Sequence, residues 1–440
     1  MTLQQIKGFS KLSKTEKINW LATEYFQNPE AGKEILTQYQ NADEKLQKLH
    51  DEFSENSLSN FYLPFGIAPN FNINGKTYAI PMVIEESSVV AAACKAAKFW
   101  GDRGGFKTEV IGTEKIGQVH LSFNGSFTEL EDFFKVVAPK LHEAIAELQQ
   151  KMRKRGGGLT GLELRDKTQS LDGYFQVHAR FQTADAMGAN FINSCLEAFA
   201  EVLLFEASQY THFKTPNPKL EVIMSILSNY VPNCVVRASV CCKISDLKAT
   251  PNLTKLAYAQ KFVQAVQIAK IEPYRAVTHN KGIMNGIDAV VLATGNDFRA
   301  IEACVHAYAA KDGTYSSLTH ATIHNNEELE FWIEIPLALG TVGGLTSLHP
   351  MVKLALEILG NPSASELMEI IAVAGLAQNF GAVDSLITTG IQKGHMKMHL
   401  LNILNQFEAS KKEKETLIAY FKNHNVSHSA VVNELNKLRS

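Results

Sequence analysis

The stretch around which the chain is organised reads Arg275-Ala-Val-Thr-His-Asn-Lys-Gly-Ile-Met-Asn-Gly286 and sets polar and charged side chains between glycines. A largely apolar run, Ile287–Ala293, separates it from Thr294-Gly-Asn-Asp-Phe-Arg299. A glycine directly follows Lys281, so we expect this cation to lie where the backbone can bend and a substrate can approach. Lys281 and Asp297 flank one short helix or strand, and we expect them to meet across a pocket. By pattern alone, a surface loop with an ordinary ion pair is an open alternative.

Composition places the chain among ordinary globular proteins. Its 440 residues are many for one core and predict two or three domains, and 45% hydrophobic with 20% charged residues is typical of a soluble protein. A formal net charge of -2 gives no broad electrostatic reason to bind nucleic acid or a membrane. We expect neither a signal peptide nor a membrane anchor, because Met1–Trp20 has no apolar core and no run approaches the ~20 apolar residues of a spanning helix. Six scattered cysteines without a Cys-x-x-Cys pair predict a cytoplasmic protein.

The spacing of apolar residues changes along the chain and predicts an α+β fold. About the first 50 residues have helical spacing, and a capping box at Ser13-Lys-Thr-Glu16 begins the first clear helix. From about 112 to 230 the order is strand, helix, strand, strand, helix, strand, which is the ferredoxin-like pattern. Two separate helices are expected over Glu366–Gln378 and Ala382–Thr389. The chain is thus predicted to divide into four stretches: 1–111 and 231–389 as a large mixed α/β domain, 112–230 as an inserted domain, and 390–440 as a small helical flap.

Two glycine-containing segments compete as the cofactor site. Gly156-Gly-Gly-Leu-Thr-Gly161 matches the dinucleotide fingerprint in form, but a basic helix end, Lys151–Arg155, precedes it and a strand-like run follows. Because the fingerprint requires a strand before it and a helix after it, we predict a turn there and no Rossmann fold. Asp185-Ala-Met-Gly-Ala-Asn190 follows a strand and begins a helix, whose N-terminal amides attract phosphate. An aspartate N-cap on a tight turn is the competing interpretation.

Two groups of titratable residues are ambiguous by pattern. Glu85 and Glu86 stand between a strand and an alanine-rich helix, where carboxylates can stabilise the helix N-terminus or take part in catalysis. His395 and His399 have the i,i+4 spacing of zinc ligands, but no glutamate follows His395 and no third ligand is near, so we predict no metal. A glycine just before His395 favours a hinge that carries a catalytic histidine on a mobile lid.

Four further motifs accompany the Lys281 stretch. They are Ile80-Pro-Met-Val-Ile-Glu-Glu-Ser-Ser-Val-Val-Ala-Ala-Ala93, Asp185-Ala-Met-Gly-Ala-Asn190, Gly340-Thr-Val-Gly-Gly344 and Lys393-Gly-His-Met396. In this order they resemble the soluble bacterial type, class II, of 3-hydroxy-3-methylglutaryl-coenzyme A reductases, from about residue 55 to residue 399. The resemblance implies a large substrate domain, an inserted non-Rossmann cofactor domain and a C-terminal flap. It also implies a homodimer, or an assembly of dimers, with active sites at the interface.

The resemblance implies a reaction in which two hydride transfers reduce a thioester to a primary alcohol and release coenzyme A and mevalonate. Glu86 would donate a proton, Lys281 would stabilise the negative charge on the carbonyl oxygen, and Asp297 would hold both in register. His395 would protonate the departing thiolate. The substrate would be held by Ser88, Arg275 and Asn285, with Arg275 binding its free carboxylate.

The implied cofactor is NADPH, with NADH as the alternative. Basic residues at Lys151–Arg155 favour the phosphorylated form, because excluding a 2'-phosphate requires an acidic residue near the ribose. The cofactor-binding residues implied by the resemblance come from two loops: Asp185, Met187, Gly188 and Asn190, and Gly340, Thr341, Val342 and Gly343.

The sequence departs from the family pattern at two places. Ser59 stands where the family's Glu-Asn-x-x-Gly loop ends in glycine, and Ser87 replaces the proline of its common Glu-Pro-Ser. Two other functions therefore stay open. The chain could reduce another acyl-CoA or an aldehyde, although Arg275 favours a substrate with a second carboxylate. It could also be a paralogue that binds coenzyme A thioesters without turnover, for which Ser59 is the only hint.

Overall fold

The computed structural model describes residues 5–248, 253–388, 390, 400–421, 424 and 426–440. The chain divides into two compact units, Met1–Pro64 and Phe65–Ser440. The first unit contains a 3-10 turn and three short helices: Phe9–Lys11, α1 (Lys14–Tyr25), α2 (Pro29–Gln38) and α3 (Glu44–Asp51).

Side-chain caps begin all three helices of the first unit. The capping box predicted at Ser13 is present, because the Glu16 amide donates to the Ser13 hydroxyl and the Ser13 amide donates to the Glu16 carboxylate. The side chains of Asn28 and Asp43 cap the next two helices by accepting hydrogen bonds from first-turn amides, which have no partner within the helix. Ser59 in this unit donates its hydroxyl to a backbone carbonyl at 2.6 Å. It is not among the residues with positive φ, so its backbone conformation does not require the family's glycine.

The second unit alternates strands and helices. In chain order they are β1 (Phe65–Ile73), β2 (Lys76–Val83), α4 (Val89–Gly101), β3 (Lys107–Val110), β4 (Lys115–Phe123), α5 (Phe127–Ala144), α6 (Gln150–Arg153), β5 (Gly158–Asp166), β6 (Tyr174–Gln182), α7 (Ala189–Gln209), β7 (Leu220–Ser228), β8 (Val235–Lys243), a 3-10 turn (Ile244–Asp246), α8 (Lys255–Ile271), α9 (Pro273–Ala293), α10 (Phe298–Ala309), β9 (Thr319–His324), β10 (Glu328–Pro336), α11 (Leu345–Leu348), α12 (Pro350–Ile358) and α13 (Ala364–Ile387). The mixed α+β fold predicted from the sequence is confirmed.

Three antiparallel sheets organise these strands. Their orders are β1-β2, β3-β8-β10-β9 and β5-β6-β4-β7. One large core joins the first two sheets with helices α4, α8, α9 and α13, whereas β5-β6-β4-β7 with α5 and α7 has a separate core.

The sheet β5-β6-β4-β7 follows the order β-α-β-β-α-β along the chain, apart from the short helix α6. Alternation along β4 explains its packing: Val119 and Leu121 are buried in the core beneath α5 and α7, and Gln118 and His120 project from the other face. The sequence Gly156–Gly161 leads from α6 into β5, as the turn interpretation predicted, and no helix follows it directly.

Helices α9 and α13 cross the centre of the large core with their backbones in close contact. A Cβ atom added at Gly286 would lie 2.4 Å from the carbonyl oxygen of Ala374, and one at Gly375 would lie 2.8 Å from the side chain of Ile287. These glycines therefore permit helix-to-helix contact. The expectation that the Lys281 stretch bends at its glycines is wrong, because Lys281 lies in the middle of the continuous 21-residue helix α9.

Helix α13 corrects two further expectations. It is one continuous helix of 24 residues, where two shorter helices were predicted. Among the described residues it is the one helix that is long and apolar enough to cross a membrane, contrary to the expectation that no run approaches this length. However, 83% of its most apolar window is buried inside the fold, as expected for the central helix of a core.

The C-terminal part has its own small core. Residues 400–406 are helical, and α14 (Lys411–Tyr420) and α15 (His428–Arg439) follow. Apolar side chains of all three segments, including Leu404, Leu417 and Leu435, pack together.

Candidate active site

Glu86, Lys281 and Asn285 form a hydrogen-bonded cluster. Lys281 Nζ donates to Glu86 Oε2 at 2.6 Å, and Asn285 Nδ2 donates to the same oxygen at 3.3 Å. Lys281 and Asn285 are four residues apart on α9 and therefore share one face of the helix. The cluster brings together segments that lie about 200 residues apart in the sequence.

The backbone before α4 places Glu86. Ser88 is the N-cap of α4 with φ 78°, a left-handed conformation that costs a residue other than glycine roughly 1–3 kcal/mol. Its side chain makes no capping bond to the helix. The Glu86 carboxylate accepts hydrogen bonds from side chains of α9 instead of capping this helix. Of the two interpretations of Glu85 and Glu86, the structure favours a site over helix stabilisation for Glu86.

A cavity of about 260 Å³ adjoins this cluster; we call it the Lys281 cavity. It is lined by all three predicted substrate residues, Ser88, Arg275 and Asn285, together with Glu86 and Lys281. The Lys281 side chain is 60% exposed and the Glu86 side chain 37%, so both can meet a ligand from solvent. A Cβ atom at Gly282 would meet nothing within 4 Å, which leaves this wall of the cavity open.

A buried network that the sequence analysis missed supports Arg275. The Asn379 amide donates to the backbone carbonyl of His279 at 3.3 Å, which leaves its oxygen to accept from Thr319 Oγ1 at 3.0 Å. The Thr319 hydroxyl oxygen must then accept a hydrogen from His279 Nε2, 2.6 Å away. In a neutral imidazole with its hydrogen on Nε2, Nδ1 is an acceptor, and it faces Arg275 Nη2 at 3.4 Å.

His279 is held neutral by its surroundings. It is 1% exposed, and burial, followed by the positive charge of Arg275, lowers its pKa to about 3. A neutral ring can accept the Arg275 hydrogen bond, whereas a protonated ring would repel the guanidinium. The i,i+4 spacing of Arg275 and His279 was the signal in the sequence that could have revealed this pair.

The predicted meeting of Asp297 with Lys281 does not occur within the chain. Asp297 caps α10, and its carboxylate accepts hydrogen bonds from the amides of Arg299 and Ala300 and from the Arg299 side chain. Burial alone would raise the pKa of Asp297, but the bonds and charge of Arg299 outweigh it and the pKa falls below its usual value. Twelve residues of α9 separate Lys281 from the end of the helix, or ~18 Å at the helical rise. The length of α9 therefore keeps the two side chains apart.

Asp297 instead lines a second cavity, of about 400 Å³, which we call the Gly340 cavity. Two loops meet at it, the Asp185 loop (184–190) and the Gly340 loop (339–344). Thr341 N donates to the carbonyl of Asp185 at 2.8 Å, and Ala186 and Val342 form a parallel bridge. A Cβ atom at Gly340 would lie 2.4 Å from the Met187 nitrogen, so glycine is needed for the loops to touch.

Six of the eight predicted cofactor residues line the Gly340 cavity. These are Met187, Gly188, Asn190, Gly340, Val342 and Gly343. Asp185 and Thr341 do not line it. Asp185 accepts the amide of Ala364 at the start of α13, and Thr341 joins the loops through its backbone, so both are placed to hold the loops together.

The sequence analysis missed several other residues of the Gly340 cavity. Asn296 accepts the Gly340 amide at 2.8 Å, and Met152 brings the basic helix α6 to its wall. Asn296 could have been found in the sequence, because it stands next to Asp297 in the quoted stretch.

His395 and His399 lie outside the described residues. Among the described residues there is no group of three side chains suited to hold a metal ion.

Comparisons with known proteins identify the family of this chain. The family model for hydroxymethylglutaryl-coenzyme A reductase matches residues 15–400. A 3-hydroxy-3-methylglutaryl-coenzyme A reductase of Archaeoglobus fulgidus is 38% identical over 403 residues, covering 91% of this chain and 86% of the relative. A probable enzyme of the same name from Borreliella burgdorferi is 36% identical over 387 residues, covering 86% of this chain and 85% of the relative.

The fold is also similar to a solved structure, that of the class II 3-hydroxy-3-methylglutaryl-CoA reductase from Streptococcus pneumoniae bound to NADPH in open conformations. The TM-score is 0.72 at 35% identity, and the alignment covers 98% of this chain and all of the other. The resemblance predicted from five sequence motifs is thereby confirmed. The chain belongs to the hydroxymethylglutaryl-coenzyme A reductase family.

Proposed function

We propose that this protein reduces 3-hydroxy-3-methylglutaryl-coenzyme A to mevalonate and free coenzyme A at the expense of two NADPH. The first hydride adds to the thioester carbonyl carbon and gives a hemithioacetal. Cleavage of its carbon–sulfur bond releases the thiol and leaves an aldehyde, which the second hydride reduces to the alcohol. The observation that supports this most directly is the Lys281–Glu86 pair, at 2.6 Å, facing a cavity that also contains Arg275.

Lys281 and Glu86 would act on the carbonyl oxygen. Each hydride transfer places negative charge on this oxygen, and a fixed ammonium stabilises that charge by ~3 kcal/mol or more. Glu86 would supply the proton that converts the oxyanion to a hydroxyl. Asn285 donates to Glu86 Oε2, the oxygen that also accepts from Lys281, and so fixes the carboxylate next to the cation.

Arg275 would bind the free carboxylate of the substrate. Its guanidinium is half-buried, lines the Lys281 cavity, and is oriented from behind by neutral His279. A guanidinium can present two parallel hydrogen bonds to a carboxylate, which gives specificity for an acyl group with a second acid. This arrangement supports the hydroxymethylglutaryl thioester over thioesters of simple acids.

The Gly340 cavity would hold NADPH. Residues Met187, Gly188, Asn190, Gly340, Val342 and Gly343 line it, and the Streptococcus pneumoniae relative is a complex with NADPH. The start of α7 has no side-chain cap, so amides of its first turn are available to phosphate oxygens. The cavity wall formed by α6 includes Met152 next to basic side chains, which supports the phosphorylated cofactor.

A second copy of the chain would complete each active site. Hydride transfer requires the nicotinamide of the cofactor to lie next to the Lys281–Glu86 pair. Within one chain, however, the length of α9 places Lys281 ~18 Å from the end of the helix at which Asp297 and the Gly340 cavity lie. A homodimer that places the Gly340 cavity of one copy against the Lys281 cavity of the other removes this separation. It would also bring an Asp297 to Lys281 and restore the role that the sequence predicted.

The domain assignment stays part of this proposal. Residues 112–230, with a core of their own, would be the inserted cofactor domain of a cytoplasmic enzyme. Residues 1–111 and 231–389 would form the substrate domain. Residues 390–440 would be a flap that brings His395 to the departing thiolate and opens to exchange the first oxidised cofactor.

Oxidation of NADPH on addition of the hydroxymethylglutaryl thioester tests the activity. Glu86→Gln should lower the rate about 100-fold or more, whereas Glu85→Gln should retain it, because Lys281 donates to Glu86 and the neighbouring Glu85 is exposed. NADH and other acyl-CoA thioesters are compared in the same assay. Binding of the thioester without cofactor oxidation would show a non-catalytic paralogue, and faster turnover of another thioester would show a different reductase.

Mixing two inactive variants tests the dimer. If each site takes Lys281 from one copy and Asp297 from the other, a mixed dimer of Lys281→Met and Asp297→Asn chains has one intact site. Its partial activity should appear on co-expression and be absent from either variant alone. Failure to recover activity in a verified mixed dimer would contradict the shared site.

A further inference from the structure

Lys115 is a buried ammonium that lies outside every motif considered so far. It begins β4 and is 6% exposed. Its Nζ contacts four neutral oxygens: Thr183 Oγ1 at 2.7 Å and the backbone carbonyls of Ala186 at 2.8 Å, Met187 at 3.0 Å and Leu339 at 3.3 Å. Burying a charge costs several kcal/mol unless polar partners replace its water. An apolar side chain would avoid this cost but would leave the carbonyls of Ala186, Met187 and Leu339 without the Lys115 donor.

The four oxygens belong to the segments that form the Gly340 cavity. Ala186 and Met187 lie in the Asp185 loop, whereas Leu339 immediately precedes Gly340. Almost 150 residues separate these loops in sequence, and β4 lies near neither of them along the chain. Lys115 therefore joins three distant segments at one point behind the cavity.

The direction of the carbonyls determines what the cavity presents. In a planar trans peptide the carbonyl and the following N–H point in opposite directions. Because the carbonyls of Ala186 and Met187 point to Lys115, the amides of Met187 and Gly188 point away from it. Gly188 is the N-cap of α7 at φ 91°, without a side-chain cap, and it lines the cavity. The ammonium thus fixes the orientation of the amides of Met187 and Gly188, immediately before α7.

Thr183 extends the same arrangement. Its hydroxyl accepts from Lys115 and donates to the carbonyl of Ala186 at 2.7 Å. Its methyl group lies 2.4 Å from the position that a Cβ atom at Gly188 would occupy. Lys115 and Thr183 together support the loop from below, so a change in either should move the amides of the loop.

We propose that Lys115 is a positioning residue for the dinucleotide. It donates hydrogen bonds to carbonyls of the Asp185 and Gly340 loops, holds the loops together, and so orients the amides of the Asp185 loop toward the cofactor phosphates. Its positive charge, immediately behind these amides, adds to the attraction for phosphate. This inference rests on the proposed function, because it takes the Gly340 cavity as the dinucleotide site.

The test is a direct titration of the full-length protein with NADPH, followed by fluorescence of the bound dihydronicotinamide. Lys115→Met keeps the length and packing of the side chain and removes the charge. We expect its Kd for NADPH to rise about 10- to 100-fold, the usual effect of losing hydrogen bonds from a charged group. The KM for the thioester, and kcat at saturating NADPH, should stay within about threefold of wild type, because the Lys281 cavity does not contain Lys115.

Two further variants separate positioning from general stability. His120→Leu removes another buried polar side chain of β4, bonded to Tyr174 and not to the loops, and should lower Tm without changing the Kd for NADPH. If Lys115→Met does not fold, Thr183→Val tests the inference in its place. We expect its Kd for NADPH to rise by a smaller factor, about 3- to 10-fold. An unchanged Kd for NADPH in the folded variant would overturn the inference. Failure of wild type to reduce the thioester while still binding NADPH would instead overturn the proposed function and leave this inference in place.

Discussion

His279→Gln should make the protein less sensitive to acid. His279 is buried, and its pKa in the folded chain is about 3, compared with 6.5 for an ordinary histidine. Between these pH values the unfolded chain binds a proton on this ring and the folded chain does not. Stability from His279 is therefore complete above about pH 6.5 and is lost as the pH falls toward 3. Glutamine cannot titrate, although it keeps one donor and one acceptor for Thr319 and Arg275.

The size of the effect follows from the two pKa values. The complete loss corresponds to about 5 kcal/mol at 1.36 kcal/mol for each pKa unit. At pH 5, where the folded ring is still neutral and the unfolded ring is mostly charged, the loss is about 2 kcal/mol. For a unit of this size the urea m-value is ~3 kcal/mol per M or more, so the unfolding midpoint of wild type should fall by up to about 0.7 M from this residue alone.

The assay compares urea unfolding of wild type and His279→Gln at pH 8 and pH 5. Tryptophan fluorescence reports on the correct core, because Trp100 is buried in the same cluster as α9. Burial also lowers the pKa of His120, His178 and His320. These residues are present in both proteins, so their contribution to the loss of stability cancels when the two proteins are compared. An equal loss of stability in both proteins would refute the assignment of His279 as a buried neutral ring that orients Arg275.

Two other variants test the division of labour in the proposed reaction. Lys281→Arg should lose about 100-fold or more in kcat, nearly as much as Lys281→Ala, because the larger guanidinium cannot occupy the ammonium position 2.6 Å from Glu86 or share its proton. Steady-state NADPH oxidation measures this, and retained turnover would make Lys281 only a structural cation. His395→Gln should slow reduction of the thioester by ~10²–10⁴-fold and largely spare reduction of free mevaldehyde, which has no thiolate to protonate. Equal loss of both reactions would assign His395 to structure or cofactor positioning.

Local sequence determined the helix caps, the strand–helix order of 112–230 and the types of residue at the site. Ser13 and Ser126 precede glutamates by three residues, and both form capping boxes, as predicted for Ser13. These features depend on contacts within a few residues, so their pattern is visible in the sequence. The five motifs also identified the family, which the matches to the family model and to relatives confirm.

Only the tertiary structure decided which side chains meet. The length of α9 separates Lys281 from Asp297, although the sequence suggested that they face each other. Gly282 lies inside this continuous helix and makes no bend, whereas Gly286 permits close contact with α13. Asp185 and Thr341, which the resemblance assigns to the cofactor, do not line the Gly340 cavity: an Asp185 carboxylate oxygen accepts the Ala364 amide, and the Thr341 amide donates to the Asp185 carbonyl. Lys115 gave no recognisable signal, and the His279 network gave only the i,i+4 spacing of Arg275 and His279, because the function of a buried polar group depends on partners supplied by segments far away in the chain.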